Sequence, residues 1–68
     1  MTEIIYLPAT DYIVRTRMKG ASHGITRTYV KREDAEEEFG RCRREGVEYV
    51  GLFRRTPQGR VLLIREAP

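Results

Sequence analysis

Tryptophan is absent from this 68-residue sequence, and cysteine and histidine occur once each, as Cys42 and His23. A single cysteine excludes any disulfide within the chain. One cysteine and one histidine offer no paired spacing for a structural metal, so no metal or cofactor is expected. No apolar run approaches the roughly 20 residues of a membrane-spanning helix, and no membrane partner is expected. The amino end, "MTEIIYLPATD", lacks a basic lead, a long apolar centre and a small-residue cleavage site, so it does not read as a secretory signal. The expectation is a cytoplasmic protein of bacterial or viral origin.

Length is the next restriction. The chain reads as one domain, 1–68, with 1–10 as a short strand or arm. A chain this short buries only about 60% of its unfolded surface. Chains below roughly 70 to 80 residues often lean on disulfides, a metal, a partner subunit or very regular packing. With disulfides excluded and a metal not expected, regular packing and self-association remain.

What is plentiful is charge, at 34% of residues with a net of +3. Its layout is lopsided. Arg32–Glu45 holds four arginines and six carboxylates, a net of −2, while the remainder holds nine basic and four acidic residues, a net of +5. Two surfaces of opposite bias are expected on one small body.

Periodicity supplies the elements. "EIIYL" (Glu3–Leu7) is β-branched and aromatic, and Pro8 ends it, which suits an edge strand or an ordered arm. In "YIVRTRMK" (Tyr12–Lys19), Tyr12, Val14, Thr16 and Met18 alternate with Arg15, Arg17 and Lys19. "ITRTYVK" (Ile25–Lys31) sets Thr26, Thr28 and Val30 against Arg27, Tyr29 and Lys31. Period two is the mark of a half-buried strand. "GASHG" joins the two runs with a glycine at each end, predicting an antiparallel hairpin.

"REDAEEEFGRCRREG" (Arg32–Gly46) predicts the single helix, with Ala35, Phe39 and Cys42 as a narrow apolar stripe. Acids crowd its start and arginines its end, matching the macrodipole. Glu37 and Arg41 are spaced for an i, i+4 pair. Gly46 suits the position after the helix, and Gly40 inside it suggests close approach to the sheet. "VEYVGLFRR" (Val47–Arg55) and "RVLLIRE" (Arg60–Glu66) predict two further strands, with "TPQG" as the turn between them. The expected fold is α+β, (β)ββαββ: a four- to five-stranded antiparallel sheet with one helix on one face.

The last two strands are apolar on both sides, yet one helix covers one side only. Tyr49, Val50, Leu52, Phe53, Val61 and Leu63 are therefore the candidate protein interface, for a homodimer or another protein. The N-terminal arm, through Ile4, Ile5, Tyr6 and Leu7, is the alternative cover. A second candidate surface is the basic first hairpin: Arg15, Arg17, Lys19, Arg27, Tyr29 and Lys31, expected along one face. Phosphates favour such a charge row, and unpaired bases favour a flat aromatic. The bland alternative is a solvated sheet face. A third is the acidic helix start, Glu33 to Glu38, as a dock for a basic partner.

Catalysis has little to rest on. Ser22 and His23 are neighbours in a loop without an orienting acid. Cys42 lies in the apolar stripe, where cysteine acts as a small hydrophobe. No glycine loop has phosphate-cradling spacing. No enzyme is expected.

The hairpin followed by "TYVKREDAEEEFGRCRREG" resembles the small ββα unit of many accessory proteins. From Glu3 to Glu45 it is similar to the three-stranded sheet plus helix of integrase arm-binding domains, which implies a sheet laid in the DNA major groove. That family's usual tryptophan is missing here and the second hairpin has no counterpart, so no functional residue carries over. Short arginine-rich chains of this kind also resemble phage or mobile-element accessory proteins, including inhibitors of host defence. The expectation is a small non-enzymatic binding protein that docks onto a macromolecule as a dimer, with nucleic-acid binding by the basic hairpin as the alternative.

Overall fold

Two tight turns and one helix crossover lay out the chain in the computed structural model, which describes residues 11–67. The strands are β1 (Asp11–Arg17), β2 (Ile25–Tyr29), β3 (Tyr49–Arg55) and β4 (Val61–Ala67), with α1 (Arg32–Arg44) between β2 and β3. They form one antiparallel sheet in the order β2-β1-β3-β4. The α+β architecture is the expected one. The fifth strand expected at Glu3–Leu7 lies outside the described residues. No helix is long and apolar enough to cross a membrane, among the described residues.

Both hairpins turn where glycine permits it. After β1, the Ala21 amide donates to the Met18 carbonyl at 3.0 Å and Gly20 takes φ +81°. Between β3 and β4, the Gly59 amide donates to the Thr56 carbonyl at 2.9 Å, the turn expected of "TPQG".

α1 begins without a side-chain cap at Lys31, and Glu33 and Asp34 lie in the first turn, where the helix dipole favours negative charge. It ends in a Schellman motif. The Gly46 amide donates to the Arg43 carbonyl and the Val47 amide to the Cys42 carbonyl, with Gly46 at φ +74°. Val47 and Cys42 are then both buried in the core.

The stripe Ala35, Phe39 and Cys42 is buried as expected, and it packs on Val14, Val50 and Leu52 of the two central strands. Tyr12, Tyr29, Ile64 and Ala67 close the edges of this core. Register explains the blurred alternation of β4. Leu52 faces Arg65 but Phe53 faces Leu63, so Ile64 is the extra residue of a bulge. Ile64 packs against the helix-side core, and Arg65 is on that side too, pairing with Glu36 at 2.9 Å and lying 5.8 Å from the Phe39 ring centroid.

Two details of the helix differ from expectation. Arg41 pairs with Glu38 and Glu45, one turn on either side, and not with Glu37. Gly40 does not touch the sheet: a Cβ there meets only the Arg44 guanidinium, at 3.3 Å.

Candidate docking surface

Directly paired residues of an antiparallel ladder point to the same side. The register therefore sorts every candidate onto a face. On the helix side stand Tyr12, Val14 and Thr16 with their partners Tyr29, Arg27 and Ile25, then Val50, Leu52 and Arg54. On the far side stand Asp11, Ile13, Arg15 and Arg17, with Thr28 and Thr26, then Arg55, Phe53, Gly51 and Tyr49.

This corrects both candidate surfaces. Arg27 and Tyr29 lie on the opposite face from Arg15 and Arg17, because Arg15 pairs with Thr26 and not with Arg27. Lys19 sits in the turn after β1, and Lys31 at the start of α1. The expected row of five basic residues and Tyr29 therefore reduces, on the sheet face, to Arg15 and Arg17. Val50 and Leu52 are fully buried under the helix, so they offer no interface. Tyr49, Phe53, Val61 and Leu63 remain, all on the far side.

The far face reads as four rows across the sheet. Arg17 pairs with Tyr49. Thr26, Arg15, Gly51 and Glu66 form the next row. Thr28, Ile13, Phe53 and Leu63 form the third, and Asp11, Arg55 and Val61 the last. The third row is apolar over three strands. Ile13 is buried, Phe53 half-buried, and Leu63 and Val61 keep 50% and 42% of their surface.

Gly51 organises the centre. A Cβ there collides with the Tyr49 hydroxyl and the Phe53 ring, so both aromatics lean over the bare glycine from either side. The Tyr49 hydroxyl donates to Glu66 at 3.0 Å. Burial first, and then this bond, push the Tyr49 phenol above its usual range. The Arg15 guanidinium carbon lies 5.2 Å from the Phe53 ring centroid, a cation–π stack. At the end of the sheet, Arg55 grips the buried Asp11 through both guanidinium positions. That grip holds the Arg55 guanidinium above its ordinary pKa. Beside Arg15, Arg17, Thr26 and Tyr49 an open hollow of about 490 Å³ leads off toward β2. Arg17 itself is tied to Glu48 at 2.9 Å.

The sequence offered one signal for this arrangement that the expectations passed over. Tyr49, Gly51 and Phe53 are spaced by two, so a strand sets both rings beside the glycine on one face.

The helix side has a smaller, more acidic groove of about 320 Å³ between Tyr29 and the helix residues Asp34, Glu37, Glu38, Arg41 and Arg44. Here Glu38 accepts from the Arg41 Nε at 3.0 Å and from the Cys42 thiol at 3.5 Å. The Arg41 bond, outweighing burial, holds the Glu38 carboxyl below its usual range. Burial pushes the Cys42 thiol up, away from thiolate chemistry. Thr16, also buried, lies 3.6 Å from the Cys42 sulfur. His23 is exposed in its loop. No cluster of three or more metal-ligating side chains occurs among the described residues.

Glu38 gives the fold a defined acid limit. A carboxyl depressed in the folded state stabilises above its unfolded pKa and loses that contribution as pH falls through the folded one. Glu38→Gln is therefore expected to be less stable than the parent at neutral pH. The gap should close as pH drops below the ordinary carboxyl value of 4.5. Paired urea titrations at pH 7 and pH 3 check this; an unchanged gap would remove Glu38 from the account.

Compared with known proteins, the chain matches no family model, no curated protein and no solved structure.

Proposed function

We propose that this chain is a small non-enzymatic docking protein, binding another protein through the sheet face opposite the helix. One observation carries the reading. The row Ile13–Phe53–Leu63, with Val61 beside it, runs across three strands on the side away from α1, where Leu63 and Val61 stay half-exposed and Phe53 half-buried beside the buried Ile13. An apolar strip rimmed by charged groups is the usual form of a protein-binding surface. The rim here is Arg15 and Arg17 at one end and Asp11 with Arg55 at the other. The titratable groups near the surface are engaged in pairing rather than poised for proton transfer, which favours binding over turnover.

Photo-crosslinking in cells tests the face. A benzophenone amino acid at position 63 is expected to give discrete protein adducts, and the same probe at position 37 on the helix to give none. Adducts from 37 with silence from 63 would move the docking surface to the helix and end this reading.

A second reading has its own observation: the hollow where Arg15 and Arg17 flank Tyr49. Two guanidinium groups beside an aromatic suit the phosphate and base of a single strand. On heparin or oligonucleotide columns that mode weakens steeply with salt. Replacing Arg15 and Arg17 by Ser abolishes it, while an apolar protein contact survives.

A further inference from the structure

We infer that the occupant of this face is a second copy of the same chain, stacked sheet against sheet about a two-fold axis. The axis runs parallel to the strands, between β1 and β3. The inference rests on the docking reading above and adds the partner and its register.

The rows themselves point to the axis. A two-fold along the strands leaves each row at its own height and reverses its order across the sheet. The apolar row then meets itself, with Phe53 over the second copy's Ile13, of which only a little surface is open, and Leu63 over its Thr28. In the last row Asp11 stands over Arg55, and Arg55 over Asp11. In the first, Arg17 stands over the Tyr49 ring. In the second, Arg15 meets Gly51, the one position without a side chain, and lies one strand from Glu66 of the second copy. No row sets two like charges opposite each other.

The alternative two-fold, across the strands, does worse. Centred between the middle rows it lays Ile13 on Arg15 and Leu63 on Glu66; centred on the apolar row it lays Glu66 on Val61 and Arg15 on an Asp11 that Arg55 already holds, so either way apolar groups bury a charge without a new partner. The axis along the strands sets Phe53 against Ile13 and Asp11 against Arg55, and it leaves no charge facing an apolar side chain. Sheets stacked this way keep a twist of about 30°, so the match is closest in the two middle rows.

Size sets the strength. A face of four short strands measures roughly 19 by 23 Å, less than the roughly 800 Å² each partner gives to a standard interface. The dimer is accordingly reversible, dissociating on dilution.

Sedimentation equilibrium on the purified full chain tests this, from about 10 μM to about 1 mM, the range of such weak contacts. The mean mass should rise from 8.0 kDa toward twice that value. Leu63→Lys, at a half-exposed site and with its fold checked by circular dichroism, should weaken association at least tenfold. Arg15→Glu and Glu66→Arg should each weaken it, and the two together should restore it, because the pair is re-formed with its signs exchanged. A chain that stays at 8.0 kDa throughout, or a Leu63→Lys variant that dimerises normally, overturns the inference. Failure of the double variant to recover overturns the axis and with it the inference. If the chain is monomeric while position 63 still crosslinks a different protein, the self-docking inference falls and the docking reading stands. Monomer with no adducts at 63 ends both.

Discussion

Phe39→Ala is expected to remove about a third or more of the folding free energy of this chain. Phe39 is 3% exposed, seated in the cluster of Val14, Val50 and Leu52, and Arg65 lies over its ring. Truncating a buried phenylalanine costs about 3–5 kcal/mol, the lost transfer energy plus the unfilled cavity. A domain of this length is stable by only about 3–10 kcal/mol in all. Nothing nearby is placed to fill the gap, since Gly40 follows in the helix and the neighbouring core positions are already packed. Urea unfolding should give a midpoint at least about a third below the parent value. A loss under about 1 kcal/mol would mean that α1 does not close the core here.

Gly51→Val is expected to be the second most damaging single change, at about 1–3 kcal/mol by overpacking. Two effects oppose each other. Valine suits a strand, and glycine in a strand costs about 0.5–1 kcal/mol through its unfolded-state freedom. Against that, any Cβ at this position drives into the Tyr49 hydroxyl and the Phe53 ring. Both rings must swing away, which breaks the Tyr49–Glu66 bond and the Arg15 stack together. The second effect wins because the collision is with two side chains at once. Gly51→Ala should show the same sign with a smaller size. Thermal unfolding measures the loss, and near-ultraviolet circular dichroism reports the displaced tyrosine. A Gly51→Val protein as stable as the parent, with an unchanged aromatic spectrum, would contradict the covered-glycine arrangement.

How far the sequence alone determined this protein can be judged element by element. The helix stripe Ala35, Phe39 and Cys42 was readable because a 3.6-residue period has one solution. The turns at "TPQG" and after Arg44 were readable because glycine at positive φ marks them. The alternation of β1 told which of its side chains turn inward, and Val14 and Thr16 do so. That alternation did not tell which side of β2 lies beside which side of β1. Arg27 and Tyr29 therefore lie on the face opposite the expected one, as register between strands depends on the turn geometry of "GASHG".

The same limit applied to the last hairpin. Val50 and Leu52 were indistinguishable from Tyr49 and Phe53 by composition, since both pairs are apolar or aromatic. Only the seat of α1 over β1 and β3 separated core from surface. The bulge at Ile64 was equally hidden, because one inserted residue inverts the alternation after it without changing its chemistry. Local periods and turn residues were thus the property of the chain. Face, register and the row of Ile13, Phe53 and Leu63 were decided by pairing between segments far apart in sequence, where no local energy specifies the partner.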